Sequence, residues 1–172
     1  MPEFEELPHP VRIGLVADTH RANPKYPLPK QLLEGLEFCD VIFHAGDIVA
    51  PWVLDVLREM APVYAVRGNN DWRPELQNLP DTLHFRSGPF KIGLMHGDAE
   101  DFRVTAREYT LRQMRGVVDC AVYGHSHRPE AKDYAGLLLV NPGSPTDPRW
   151  APSRTFGILT IGATIEPRIL EL

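Results

Sequence analysis

The sequence predicts a mixed α/β domain in which helices pack against two β-sheets. Up to Arg67, short β-branched runs alternate with segments of helical apolar spacing, which is typical of parallel strands with helical crossovers. The second half contains hairpin signals that favour antiparallel strands. The 172 residues, 43% of them hydrophobic, suffice for one domain with its own core. We expect two sheets rather than one doubly wound sheet, although the hairpins could also extend a single sheet.

The N-terminal half is predicted as β-α-β-α-β. Leu28, Leu32 and Leu36 follow helical spacing, and Pro51 suits the first turn of a second helix. The predicted strands are 11–17, 40–45 and 62–67, and the predicted helices are 27–38 and 51–60.

The C-terminal half is predicted as mostly strands around one helix. A Ser-Gly-Pro-Phe turn at 87–90 joins the first two strands, and Asp101 is a candidate cap for the helix. The predicted strands are 82–86, 91–95, 118–123, 137–140, 155–161 and 164–170, and the predicted helix is 101–114. We expect one domain over 1–172, with 1–10 as an N-terminal extension.

Composition excludes several functional classes. The apolar runs are strand-length, which predicts no membrane span, and the acidic N-terminus lacks the apolar core of a secretory signal. Cys39 and Cys120 lie 81 positions apart and are interpreted as reduced core thiols of a cytoplasmic protein. A net charge of −5 without a basic stripe argues against binding long nucleic acid and favours small substrates.

Metal-competent side chains follow five of the predicted strands. In α/β sheets, ligands bind beyond the carboxyl ends of strands, so these loops can converge. They read Asp18-Thr19-His20, Gly46-Asp47, Gly68-Asn69-Asn70-Asp71, His96-Gly97-Asp98 and Gly124-His125-Ser126-His127. Each motif alone is weak, because a lone histidine or a Gly-Asn turn is usually structural. Their conjunction predicts a metal site.

The donor types indicate which metals would fit. Aspartate and histidine supply oxygen and nitrogen ligands suited to manganese, zinc or iron, with no thiolate. Asp18 and His20 share one side of an extended backbone, as do His125 and His127, because residues i and i+2 point the same way. Glycines in these loops allow the backbone to approach a crowded site closely.

Together these five blocks resemble the signature of the calcineurin-like metallophosphoesterase superfamily, over nearly the whole chain. The short length and the Asn-Pro-Gly-Ser segment at 141–144 resemble its compact bacterial and archaeal phosphodiesterase branch, to which the metallophosphoesterase-fold subunit of retromer also belongs. The resemblance implies a four-layer α/β/β/α sandwich of two mixed sheets with a dinuclear site between them.

The resemblance also implies a ligand set and a reaction. Asp18, His20 and His127 would bind the first metal; Asn69, His96 and His125 the second. Asp47 would bridge the two, with a hydroxide as second bridge that attacks a small phosphodiester in line. We expect two divalent ions, manganese first, with zinc, iron or nickel as alternatives. Asp47, Asn70 and His125 are the candidate catalytic residues.

Three departures from the family pattern affect the mechanism. Asn70 stands where many relatives carry a histidine general acid, and an amide cannot deliver a proton at neutral pH. We therefore expect good leaving groups, or diesters whose leaving oxygen is protonated by water. Asp98 replaces a histidine; it could hold a metal-bound water, orient a ligand histidine, or be a helix-capping or turn aspartate. An arginine usual after Asp47 is absent, so Arg67 and Arg149 are candidate phosphate contacts or structural ion pairs.

Other side chains and other functions stay open. Asp71 is a candidate supporting or substrate residue, and His44 is either a core histidine or a residue that orients a metal ligand. The alternatives to a phosphodiesterase are a scaffold that has lost its chemistry, a phosphomonoesterase or a nuclease. All seven ligand positions are intact, which favours turnover, whereas the acidic charge disfavours a nuclease. A homo-oligomer is possible.

Overall fold

A computed structural model describes residues 2–172. The chain forms eleven strands and four helices in these residues. The strands are β1 (Glu5–Glu6), β2 (Val11–Val16), β3 (Val41–His44), β4 (Val63–Ala65), β5 (Thr82–Ser87), β6 (Phe90–Met95), β7 (Cys120–Val122), β8 (Glu130–Asp133), β9 (Leu138–Asn141), β10 (Thr155–Ile161) and β11 (Ile165–Glu171). The helices are α1 (Lys30–Leu36), α2 (Trp52–Arg58), α3 (Pro74–Gln77) and α4 (Ala106–Met114).

The strands form two mixed sheets. The five-stranded sheet has the order β11-β10-β2-β3-β4, with β2, β3 and β4 parallel and β10 antiparallel to both its neighbours. The six-stranded sheet has the order β1-β5-β6-β7-β9-β8, with β6, β7 and β9 parallel. In each sheet the three parallel strands lie next to one another, and this brings their carboxyl ends together at one edge.

The core is divided into three apolar clusters that define four layers. Ile13 and Phe43 of one sheet face Phe85 and Leu94 of the other in the central cluster. A second cluster packs α1, α2 and α3 on the five-stranded sheet, and a third packs α4 on the six-stranded sheet. The predicted α/β/β/α sandwich of two mixed sheets is confirmed.

Several predicted boundaries are wrong, and the reasons are local. The last helix begins at Ala106 rather than 101, because Thr105 forms a capping box with Glu108. Asp101 instead binds Arg103. The single-turn helix α3, the edge strand β8 and the two-residue β1 were not predicted. β1 lies in the segment 1–10, which was expected to be an N-terminal extension, and it pairs with β5 of the six-stranded sheet.

Both cysteines lie in the apolar core as free thiols, as predicted. Cys39 is in the helix-side cluster and Cys120 is in the central cluster between the sheets. Over residues 2–172, we find no helix with the length and apolar character needed to cross a membrane.

Candidate metal centre

The loops that follow β2, β3, β4, β6 and β7 meet at one edge of the sandwich. β2, β3 and β4 belong to one sheet and β6 and β7 to the other. The site therefore lies across the gap between the two sheets. The structure brings together the side chains of all seven predicted ligands: Asp18, His20, Asp47, Asn69, His96, His125 and His127.

Three of these side chains form one group. His20 Nε2 lies 3.2 Å from His127 Nε2, and His127 Nε2 lies 3.6 Å from Asp18 Oδ1. Asp18 and His127 are buried, while His20 is partly exposed. Their donor atoms all fall within 4.8 Å of one another, a spacing that one metal ion can span.

A second group lies beside the first. Asn69 Oδ1 is 3.1 Å from His96 Nε2 and 3.1 Å from His125 Nδ1. The nitrogens of the two histidines are 3.3 Å apart. These three atoms therefore converge on one point, with His96 buried and Asn69 open to solvent.

Asp47 lies between the two groups. Its Oδ2 is 3.3 Å from His20 Nε2 in the first group, and its Oδ1 is 3.4 Å from His96 Nε2 in the second. Each carboxylate oxygen therefore faces a different group, which is the placement that a bridging ligand needs.

Backbone carbonyls select the tautomers of two histidines. In neutral His96, Nδ1–H donates to the carbonyl of Ala45 at 2.7 Å. In neutral His127, Nδ1–H donates to the carbonyl of Asp147 at 2.5 Å. Both Nε2 lone pairs are thereby turned into the site, as in histidine metal ligands whose other ring nitrogen is hydrogen-bonded.

The charges of the site fit divalent cations. Asp18 Oδ2 is buried and has no hydrogen-bond partner within residues 2–172. Burial raises the pKa of Asp18 to about 7. Burial opposes ionisation of His96 as well, but its hydrogen bond with Asp47 prevails and raises the pKa of His96 to about 9. The raised pKa values of Asp18 and His96 show that this cluster of carboxylates and inward lone pairs attracts positive charge. Two divalent cations would supply more positive charge than the protons bound to these two residues.

The backbone is strained at most of the candidate ligands. Five of the seven have positive φ angles between 45° and 65°, a conformation that is uncommon for residues other than glycine. They are Asp18, His20, Asp47, His125 and His127. Each such residue costs of order 1 kcal/mol or more, and such strain clusters at functional sites where the surrounding structure enforces it.

The Asp71 carboxylate holds the loop after β3 in its conformation through hydrogen bonds to the backbone. Its Oδ1 accepts hydrogen bonds from the backbone N–H of Ile48 and Val49 at 2.8 and 2.7 Å. Its Oδ2 accepts from the N–H of Asp47 and Gly68 at 3.0 and 2.8 Å. Val49 has φ 75°, which is an outlier for a β-branched residue. Asp71 thus joins two ligand-bearing loops without facing the metal ligands itself.

Gly46 and Gly68 allow these loops to approach one another. A Cβ on Gly68 would lie 2.3 Å from Asp47 Oδ1, and one on Gly46 would lie 2.7 Å from His96 Nδ1. Both distances are below 3.0 Å, closer than Cβ atoms approach other heavy atoms in proteins, so only glycine fits at these two positions.

Asn70 binds Asp47 rather than pointing into open space. Its backbone N–H donates to Asp47 Oδ1 at 2.8 Å, and its side-chain amide donates to Oδ2 at 2.7 Å. Burial alone would raise the pKa of Asp47, but hydrogen bonds from His20, His96 and Asn70 hold it well below its usual range. Asp47 is therefore an anion with both oxygens fixed in orientation.

Comparisons with known proteins agree with this geometry. Residues 11–164 match the calcineurin-like phosphoesterase superfamily domain. The chain belongs to this superfamily. A probable metallophosphoesterase of Methanocaldococcus jannaschii is 34% identical over 160 residues, covering 93% of this chain and 81% of the relative. The superfamily is one of metal-dependent hydrolases, so the family assignment and the clustered donor groups support each other.

Solved structures share the phosphoesterase fold. The structure of an archaeal phosphodiesterase has a TM-score of 0.73 and 24% identity, covering 94% of this chain and 99% of the other. Vps29 of Entamoeba histolytica complexed with Zn²⁺ has a TM-score of 0.68 and 25% identity, covering 93% and 98%. The predicted relation to the retromer subunit is therefore confirmed.

The remaining predicted residues surround the site in different ways. Arg67 is paired with Asp81 at 2.6 Å and lines a small groove that also contains Asn69 and Asp98. The helix-cap interpretation of Asp98 is wrong, because Thr105 caps α4. Arg149 lies 3.6 Å from Asp147, and its charge helps to lower the pKa of His125, which burial lowers first.

His44 lies in the core below the loop of Asp18 and His20. Its Nε2 is 3.1 Å from Thr19 Oγ1, while its Nδ1 is buried without a partner in the described residues. Burial lowers the pKa of His44 to about 3. We therefore assign a neutral ring that donates from Nε2 to Thr19, since an unpaired acceptor nitrogen costs less than an unpaired donor. The hydrogen bond that the His44 ring makes in the described residues is to Thr19, not to a candidate ligand.

Sequence analysis gave no role to three residues that hold the ligand loops. Ser144 Oγ donates to the carbonyl of Asp18 at 2.7 Å, and Thr146 Oγ1 donates to that of Thr19 at 2.5 Å. Asn141 Nδ2 donates to the carbonyl of Gly124 at 2.8 Å. The available signal was the Asn-Pro-Gly-Ser segment at 141–144, which was used only as a family resemblance.

Proposed function

We propose that this chain is a phosphodiesterase that hydrolyses small phosphodiesters with two divalent cations. In this proposal, Asp18, His20 and His127 hold one cation, and Asn69, His96 and His125 hold the other. The observation that carries it is Asp47, whose two oxygens face the two groups at 3.3 and 3.4 Å. When bound, the cations would polarise the phosphoryl oxygens and lower the pKa of a water molecule.

The protein's own residues orient the ligands. The carbonyls of Ala45 and Asp147 fix the His96 and His127 tautomers, and Asn70 fixes the Asp47 carboxylate. These contacts pre-organise the site, so binding the cations and the phosphate requires little rearrangement. Manganese is the metal we expect first, and the Zn²⁺ complex of the Entamoeba histolytica relative makes zinc the main alternative.

The reaction uses water as nucleophile and needs no covalent enzyme intermediate. The attacking water gives one proton to solvent, and its oxygen forms a bond to phosphorus. The bond from phosphorus to the leaving oxygen breaks at the same time, and that oxygen keeps the electron pair. The leaving oxygen then takes a proton from solvent water, because the Asn70 amide is bound to Asp47 and carries no acidic proton. The products are a phosphomonoester and an alcohol.

The test is metal-dependent hydrolysis of bis(p-nitrophenyl) phosphate by purified protein. Chelator treatment should abolish turnover, and added Mn²⁺ should restore it. Asp47→Asn should lower kcat/KM about 100-fold or more, since mutating even the hydrogen-bond partners of metal ligands typically lowers metal affinity or activity 10–100-fold. The matched control is Asp55→Asn, an exposed aspartate on α2 that pairs with Arg58.

Other substrates separate the alternative functions. p-Nitrophenyl phosphate measures phosphomonoesterase activity, and single-stranded DNA measures nuclease activity. A protein that binds Mn²⁺ but hydrolyses none of these substrates would contradict the proposal and favour a scaffold, the alternative that the fold shared with Vps29 leaves open. Faster hydrolysis of the monoester than of the diester would contradict the diester preference.

A further inference from the structure

A cavity of about 570 Å³ begins at the edge of the candidate metal centre. Its walls are the first turn of α4, the segment Ser126–Glu130 and Trp150. Ser126 lies between His125 and His127 in the chain, so one segment carries two candidate ligands and also forms a wall of the cavity. This volume is within the range of sites that bind small molecules.

One wall of the cavity is a closed polar network. The Glu130 carboxylate accepts hydrogen bonds from the hydroxyls of Tyr123 and Tyr134 and lies 3.1 Å from Arg107 Nε. Burial would raise the pKa of Glu130, but these donors prevail and lower it. The charge of Arg107 is therefore compensated, and its guanidinium also lies over the Tyr134 ring at 5.7 Å.

Arg128 is the uncompensated cation of the cavity. It is exposed, and no carboxylate pairs with it in the part of the chain that the structure describes. Its backbone N–H donates to Ser126 Oγ at 3.3 Å, which ties the segment back toward the metal centre. A free guanidinium is a donor for a phosphate group.

Trp150 supplies an aromatic face. It is 87% exposed, although a tryptophan usually buries most of its large apolar surface. It lines the same cavity as Arg128. A planar ring that stacks on Trp150 would cover this surface, as nucleic-acid bases do when they stack on exposed aromatic side chains.

We propose that this cavity binds one substituent of the phosphodiester, and that this substituent is a nucleoside bearing a second phosphate. The base stacks on Trp150 and the second phosphate binds Arg128, while the scissile phosphate reaches the metal centre past Ser126. This inference rests on the proposed phosphodiesterase function and names its substrate class: short oligonucleotides with a 5′-phosphate, such as pApA.

The kinetic test compares three substrates: pApA, ApA and methyl p-nitrophenyl phosphate. Trp150→Ala should lower kcat/KM for pApA about 10-fold relative to kcat/KM for methyl p-nitrophenyl phosphate, which has no base to stack. Arg128→Gln should remove an about 10-fold preference in kcat/KM for pApA over ApA, because glutamine cannot form the charge-assisted hydrogen bond to the second phosphate. Phe38→Ala and Arg112→Gln, an exposed aromatic and an exposed arginine outside this cavity, should change neither ratio.

A binding measurement separates this inference from the proposed function. AMP binding to chelator-treated protein, followed by calorimetry, requires no turnover. Parent protein should bind AMP, and the Kd should rise about 10-fold in Trp150→Ala and in Arg128→Gln. If these shifts appear but no diester is hydrolysed, the cavity assignment stands and the proposed function fails. If diesters are hydrolysed but AMP does not bind, or the variants match the controls, the cavity assignment is overturned.

Discussion

Replacing Asp71 by asparagine should loosen two ligand loops at once. The carboxylate accepts four backbone N–H groups, two on each oxygen, from Asp47, Ile48, Val49 and Gly68. An asparagine has one accepting oxygen and one amide group that only donates. In either orientation of the amide, two of the four N–H groups face another donor and lose their partner.

The size of the effect follows from these two lost bonds. Asp71 is 3% exposed, so water does not readily replace its oxygen. Hydrogen bonds to a charged acceptor contribute about 1.5–3 kcal/mol each, so Asp71→Asn should lower the free energy of unfolding by about 3–6 kcal/mol. The strained conformation of Val49 at φ 75° would then relax, and Asp47 would shift from its place between the two groups.

The assay is urea unfolding of chelator-treated protein, analysed with a common slope m. Asp81→Asn is the matched control, because that carboxylate is 76% exposed and pairs with Arg67 on the surface. Asp71→Asn should unfold at a much lower urea concentration than Asp81→Asn. Its affinity for Mn²⁺, measured by calorimetry, should fall as well. A loss of stability below about 1 kcal/mol would show that the four contacts do not hold the loops, and the reasoning would be refuted.

Three further perturbations test separate parts of the structure. Thr105→Ala removes the capping box with Glu108 and should cost about 1 kcal/mol in urea unfolding, whereas no change would place the start of α4 elsewhere. Asn70→Ala removes the side-chain donor to Asp47 and should weaken Mn²⁺ binding about 10-fold by calorimetry; an unchanged Kd would contradict the orienting role. Burial lowers the pKa of His44 to about 3. Between about pH 3 and 6.5 the unfolded chain therefore carries a proton on His44 that the folded chain lacks, and the free energy of unfolding rises with pH in this range. In chelator-treated protein, His44→Gln should reduce the slope of unfolding free energy against pH by up to about 1.4 kcal/mol per pH unit between pH 4 and 6. Equal slopes in the variant and the parent protein would show that His44 is not buried in its neutral form.

The clustering of the candidate ligands could be predicted from the sequence because the signal is local. Asp18, Asp47 and His96 each end an apolar run, and the boundary between a buried strand and its loop is visible in the residue pattern. Parallel strands then place these ends at a common edge without any knowledge of tertiary contacts. The two-sheet arrangement was accessible for the same reason, since helical crossovers and hairpins differ in sequence.

The elements that were missed lack such a signal. β8, with the sequence Glu-Ala-Lys-Asp, is an edge strand with no apolar alternation, and it exists because β9 lies beside it. Asp101 and Thr105 are both reasonable caps, and the choice depends on the capping box with Glu108 and on the pairing of Asp101 with Arg103.

The supporting contacts of the site could not be predicted because their partners are distant in the chain. Asp71 reaches Ile48 across 23 positions, and Ser144 reaches Asp18 across 126. The left-handed backbone of the candidate ligands is also invisible in sequence, since none of them is a glycine. Their conformation is imposed by these distant contacts.

The most direct test of the central claim is an anomalous difference map from a crystal grown with Mn²⁺. The structure predicts two peaks per chain. One should be bound by Asp18, His20 and His127, the other by Asn69, His96 and His125, with one oxygen of Asp47 on each peak. A single peak, or peaks bound by other residues, would contradict the account.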